Sequence, residues 1–184
     1  DILDGNGWTD VLASGYQPLR DNTRLFNITD TDADTTLIGL TLTGGRSVVP
    51  LPRISTSGTI KVYDGAPYSG GAIRSAADRL VIQDSVIAGN STSGDGAMGG
   101  AIYTVGESAG VRMYDSLVHA NGTFGYYAGG GAIATYAASG RPDRFAGYNV
   151  SLTDNFTRGD YAPGGAIYGL RGAGLYGGLA VGNH

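Results

Sequence analysis

The tetrapeptide Gly-Gly-Ala-Ile occurs four times in this chain, beginning at Gly70, Gly99, Gly130 and Gly164, in steps of 29, 31 and 34 residues. A segment that returns about every 30 residues is the signature of stacked structural units such as solenoids or propellers. A second segment recurs with it and closes on Asn. It reads Asp84-Ser85-Val86-Ile87-Ala88-Gly89-Asn90, then Asp115 to Asn121, then Asn149 to Asn155, then Gly178 to Asn183. An apolar or small residue stands three positions before each Asn: Ile87, Val118, Leu152 and Ala180.

Each repeat reads as one coil of a β-solenoid. The Gly pair makes a corner, Ala-Ile enters a strand, and a second strand runs to the Asn corner. Strands about 4.8 Å apart place like residues over one another when coils stack in register. Ile73, Ile102, Ile133 and Ile167 then form one inward apolar column. Alternation puts Ser75, Thr104, Thr135 and Gly169 in a small inward column, and points Arg74, Tyr103, Ala134 and Tyr168 outward. Gly suits corners that need positive φ. Stacked Asn amides are expected to bond from coil to coil, as amide ladders do in stacked β-structure.

These residues also resemble a known group. Gly-Gly-Ala-Ile followed by an apolar-x-x-Asn closure is similar to the repeats of polymorphic outer-membrane proteins and adhesins. That group lies within the right-handed parallel β-helix, or pectate-lyase-like, superfamily. The closure in that group is Phe-x-x-Asn, and Ile87, Val118, Leu152 and Ala180 stand here at the Phe position. The resemblance runs from roughly Ile2 to the C-terminus. It implies an all-β, right-handed parallel β-helix of about five to six coils, and it is the source of the handedness. It also brings in polysaccharide lyases and hydrolases, so an enzyme has to be weighed.

Composition agrees with a helix-free chain. Glu107 is the only Glu and Lys61 the only Lys, and both types favour helices. The apolar fraction of 41% argues against the disorder that 33 glycines would otherwise suggest. A net charge of −4 gives no reason to expect nucleic acid. The absence of Cys excludes a disulfide framework and a Cys-based zinc site. No run of eighteen apolar residues is present, so no helical membrane span is expected. The whole of 1–184 reads as one solenoid domain, with the Gly-Gly-Ala-Ile repeats over 70–184. The chain opens on Asp1 in what reads as a coil interior, and no capping element follows Asn183. A fragment of a longer chain is therefore expected.

Along the chain, Trp8 is expected to pack in the opening coils, and Asp30 to Asp34 to form a solvated acidic corner. Leu37 to Thr43 reads as a single strand. Residues 46–69, with Pro50 and Pro52, read as an excursion or hairpin off the solenoid. Outer loops are expected from Ser91 to Met98, Gly122 to Gly129 and Phe156 to Pro163. Tyr63 in the excursion and Tyr126, Tyr127 and Tyr161 in the loops are the candidate contact surface, for a protein or a surface carbohydrate.

Chemistry has few footholds. Asp84 and Asp115 fall at one repeat position, with Asn149 at the next; stacked carboxylates are the secondary candidates for a cation site. The adjacent Asp-Asp and Gly-His-Gly signatures of the superfamily's hydrolases are absent. His119 reads as a surface residue, and no cofactor is expected. Five Asn-x-Ser/Thr sequons occur. Asn27 and Asn149 lie outside the Asn column and are the expected glycan acceptors. Asn90, Asn121 and Asn155 lie in the column and are the less favoured ones. The function expected is a non-catalytic structural or adhesive protein, extracellular or on a cell surface. A polysaccharide-active β-helix enzyme is the first alternative. A filament subunit that stacks through open ends, on other chains or further coils, is the second.

Overall fold

The computed structural model describes residues 2–4, 23–31, 34–49, 53–54, 60–61, 66–106, 109–137, 145–169 and 172–184. The chain winds as a parallel β-helix. Four parallel sheets run along it, and consecutive coils are neighbours in each. Sheet I stacks Phe26–Ile28, Ile73–Ser75, Ile102–Gly106, Ile133–Ala137 and Ile167–Gly169. Sheet II stacks Asp34–Ile38, Arg79–Gln83, Val111–Tyr114, Phe145–Tyr148 and Ala173–Tyr176. Sheet III has six strands: Ile2–Asp4, Thr41–Thr43, Val86–Ala88, Leu117–His119, Ser151–Thr153 and Leu179–Val181. Sheet IV stacks Arg46–Val48, Ser91–Ser93, Gly122–Phe124 and Phe156–Arg158.

A coil thus contains four short strands, where the sequence suggested two. The expected strand over Leu37 to Thr43 breaks at Gly39, which has φ 68°, into a sheet II and a sheet III strand. The outer loops are shorter than expected, because Ser91–Ser93, Gly122–Phe124 and Phe156–Arg158 pair in sheet IV. The excursion likewise begins later, since Arg46–Val48 pairs with Ser91–Ser93. Within it, Arg53–Ile54 and Ile60–Lys61 form an antiparallel pair, and a 3₁₀ turn spans Ala66–Tyr68. Trp8 and Tyr63 lie outside the described residues, as do Asp32 and Ala33.

Single residues turn the corners. Between sheets II and III the left-handed residue is Gly39, Asp84, Asp115, Asn149 or Gly177. Between sheets III and IV it is Gly44, Gly89, Ala120, Asp154 or Gly182, the residue before the closing position rather than the Asn itself. The Gly-Gly pair divides two duties. Gly99 takes positive φ, at 65°. Gly100 does not, but a Cβ there would lie 2.2 Å from Gly131 O and 2.5 Å from Gly122 O. The first glycine bends the chain, and the second lets adjacent coils touch backbone to backbone.

The Ile column forms as expected. Ile102 pairs with Ile73 and Ile133, and all three are fully buried. Ile167 continues the register and packs against the core, partly buried. Volume is shared between coils in sheet II. Val111 is followed by Phe145 and Met113 by Gly147, and a Cβ on Gly147 would come within 3.0 Å of the Phe145 ring. The larger ring occupies the room the glycine leaves, which keeps the interior close-packed.

Pointing outward does not leave every residue of sheet I exposed. Tyr103 and Ala134 do sit on the outer face of sheet I, yet they are 3% and 1% exposed. The glycine corners press against that face. A Cβ on Gly70 would lie 3.1 Å from Tyr103 Cβ, and one on Gly130 the same distance from Ala134 Cβ.

Candidate functional site

The closing Asn residues form a continuous ladder. Asn90 Nδ2 donates to Asn121 Oδ1 at 2.9 Å, Asn121 Nδ2 to Asn155 Oδ1 at 3.0 Å, and Asn155 Nδ2 to Asn183 Oδ1 at 2.9 Å. The second amide hydrogen goes back one coil, to Leu42 O, Ile87 O, Val118 O and Leu152 O in turn. Asn90, Asn121 and Asn155 are buried. The Thr two residues on is also structural. Thr92, Thr123 and Thr157 donate to Ala97 O, Ala128 O and Ala162 O, and so pin the loop that follows sheet IV. Three of the five sequons are therefore consumed by the coil at both ends. Asn27 and Asn149 are exposed.

Asp84, Asp115 and Asn149 stack at the corner between sheets II and III, with φ near 50° in each case: 49°, 48° and 54°. Asn149 Nδ2 donates to Asp115 Oδ1 at 2.8 Å, and Gln83 Nε2 to Asp84 Oδ2 at 3.0 Å. Behind them runs a serine ladder: Leu40 N donates to Ser85 Oγ and Ser85 N to Ser116 Oγ. The column lines a shallow depression of about 490 Å³. Among the described residues no three His, Cys, Asp or Glu side chains gather as a metal-binding group. The third coil brings an amide donor where a cation would want an oxygen.

Directly before the corner residues Asp115, Asn149 and Gly177, Tyr114, Tyr148 and Tyr176 stack face to face on the outside of sheet II. Their centroids are 5.1 and 5.0 Å apart. Sequence reasoning missed this stack. Its signal was a Tyr placed just before each corner residue in three successive repeats.

His119 lies on the outer face of sheet III. Its Nδ1 is 3.0 Å from Thr153 Oγ1 and 3.5 Å from Asp154 Oδ2. Both partners meet the same ring nitrogen. A base that activates a hydroxyl while a carboxylate orients it needs them on opposite nitrogens. Arg24 is a clamp. Its guanidinium donates to Gly70 O, Pro67 O, Ser69 O and Ser47 Oγ. Burial first, and then the charge of Arg74, hold its pKa down to about 10.

The loops after sheet IV carry the named tyrosines. Tyr126 lies against Tyr127 at 4.3 Å and Tyr161 at 5.4 Å, and Tyr127 lies 5.5 Å from Tyr161. All three are exposed. A hydrogen bond with Tyr127 raises the Tyr126 hydroxyl pKa, with smaller contributions from partial desolvation and the charge of Asp95. The cluster borders a depression of about 640 Å³ that also takes in Met98, Pro163 and Tyr168. Pro163 and Tyr168 lie close in sequence to Tyr161, whereas Met98 and Tyr127 come from earlier repeats.

The chain matches no protein-family model, no curated protein and no solved structure. Among the described residues no helix is long and apolar enough to cross a membrane.

Proposed function

We propose that this chain is a non-catalytic structural or adhesive β-helix, extracellular or on a cell surface, that serves as a rigid support for its loops. One observation carries the reading. The polar residues that repeat faithfully, Asn90, Asn121 and Asn155 with their threonines, are spent on stacking. The loops that follow vary from coil to coil, and the second and third bear the exposed Tyr126, Tyr127 and Tyr161. Scaffolds of this kind place contact residues on loops held by rigid repeats. The test is adhesion of protein-coated beads to cell layers and to extracellular matrix. The parent is expected to adhere, and a Tyr126→Ser, Tyr127→Gly, Tyr161→Gly variant to lose adhesion. Equal adhesion by the two would defeat the reading.

The depression holding Asp84 and Asp115 favours the enzyme as a second reading. Incubation with pectins, alginate and glucans, with and without calcium, addresses it. Release of reducing or unsaturated ends that Asp84→Asn or Asp115→Asn abolishes would replace the adhesive reading. The filament reading draws on the last coil. There Ile167, Leu175, Ala180 and Asn183 line an open apolar depression of about 410 Å³. Its occupant on this reading is a further coil, from this chain or a second copy.

A further inference from the structure

Two tyrosines occupy a backbone conformation that glycine takes without cost. Tyr127 and Tyr161 each have φ 57°, and the equivalent residue one coil earlier is Gly96, at 70°. A residue with a Cβ loses about 1–2 kcal/mol in that region, and a bulky one there is a genuine outlier. Burial does not compensate, since Tyr127 is 53% exposed and Tyr161 70%. Such strain persists where surroundings impose it, and it gathers at ligand clamps.

The strained rings face an opening. Tyr168 rises from the outer face of sheet I and makes no ring contact with the tyrosine cluster among the described residues. The depression between them is walled by Met98, Tyr127, Tyr161, Pro163 and Tyr168, and no charged side chain lines it. Charged groups flank it instead: Arg158, whose guanidinium lies 5.2 Å from the Phe156 ring centroid, and two carboxylates. Exposed Asp160 sits between Gly159 and Tyr161, and Asp95 Oδ1 accepts Tyr126 N–H at 3.0 Å.

We propose that this depression binds the quaternary ammonium group of a soluble compound, held against the faces of Tyr127, Tyr161 and Tyr168. Aromatic faces are negative and attract ammonium groups, more strongly as water is excluded. A quaternary ammonium has no N–H left to satisfy, so the apolar Met98 and Pro163 walls cost it little. A sugar brings several hydroxyls, which pay for desolvation unless bonded, and the walls offer few partners. Asp95 and Asp160 attract the cation and repel the phosphate of a lipid headgroup, and the opposing charge of Arg158 is held over the Phe156 ring, a balance that favours a soluble source. The assignment rests on these loops being the contact surface.

The probe is choline chloride, titrated by calorimetry into the parent, Tyr161→Gly and Tyr161→Phe, with glucose as the neutral control. Glycine suits φ 57°, so Tyr161→Gly is expected to melt no lower than the parent. Choline should saturate the parent and Tyr161→Phe and bind Tyr161→Gly about tenfold more weakly; glucose should not saturate. No saturation by choline, equal binding by glucose, or unchanged binding by Tyr161→Gly would overturn the proposal. So would a Tyr161→Gly melting point well below the parent's, because the ring would then be structural. Sedimentation with phosphatidylcholine vesicles that depends on Tyr161 would overturn the soluble source. Choline binding without bead adhesion would defeat the adhesive reading and leave this one standing.

Discussion

Asn121 Oδ1 receives two hydrogens from Asn90: one from Nδ2 at 2.9 Å and one from the backbone N at 3.0 Å. The same amide donates to Ile87 O and to Asn155 Oδ1. Every hydrogen-bonding group of this buried side chain is thereby satisfied. Asn121→Ala would leave Asn90 N without its acceptor, and would take one acceptor from the Asn90 amide and one donor from Ile87 O. Unsatisfied buried groups cost about 1–3 kcal/mol each, so a loss of about 4 kcal/mol is expected. Urea unfolding measures it. A loss below about 1 kcal/mol would mean the ladder adds little beyond the backbone sheets.

The glycines separate a steric cost from a conformational one. Gly100→Ala would drive a Cβ to 2.2 Å from Gly131 O, between two coils. At Gly177, with φ 64°, nothing lies within 4 Å of the added Cβ. Gly177→Ala should cost about 1 kcal/mol, the left-handed penalty alone. Gly100→Ala should cost several times that, because backbone must move. Paired thermal melts report the difference, and equal losses would contradict the close approach of the coils.

Thr104 and Thr135 point inward, buried, and neither Oγ1 has a hydrogen-bond partner. A buried, unpaired hydroxyl costs about 1–3 kcal/mol. Thr104→Val keeps the branched shape and replaces the hydroxyl by a methyl group. The variant is expected to melt higher than the parent, by about 1 kcal/mol in stability. A lower melting temperature would show that the hydroxyl is satisfied in solution.

Glycan occupancy should divide the sequons in a secretory host. Exposed Asn27 and Asn149 are the expected acceptors, and Asn90, Asn121 and Asn155 are sequestered by the ladder. Glycopeptide mass spectrometry reads each site. Sugar on the three ladder residues would require a fold in which that column faces solvent.

The two columns that set the coil were legible because their residues recur at a nearly fixed step. Ile73, Ile102 and Ile133, and Asn90, Asn121 and Asn155, each stack as read. The number of strands was not legible. Segments of three residues, such as Val86–Ala88 and Ser91–Ser93, are too short to show a period, and only Gly89 and Asn90 separate them. Alternation placed Tyr103 and Ala134 on the outer face correctly, but it carries no information about the glycine corners that cover them. The Met98, Tyr127 and Tyr168 grouping escaped for a related reason: proximity along the solenoid axis links residues tens of positions apart.

The amide ladder has a direction. Each Oδ1 accepts from the preceding coil, and each Nδ2 passes one hydrogen forward, from Gly45 N–H at one side to Asn183 at the other. Within the ladder every Asn presents an acceptor toward one side and a donor toward the other. Two copies meeting through equivalent faces would set donor against donor or acceptor against acceptor. Copies stacked through such a ladder would have to meet head to tail, and repetition of a heterologous contact that does not close would yield an open, polar fibre rather than a symmetric pair.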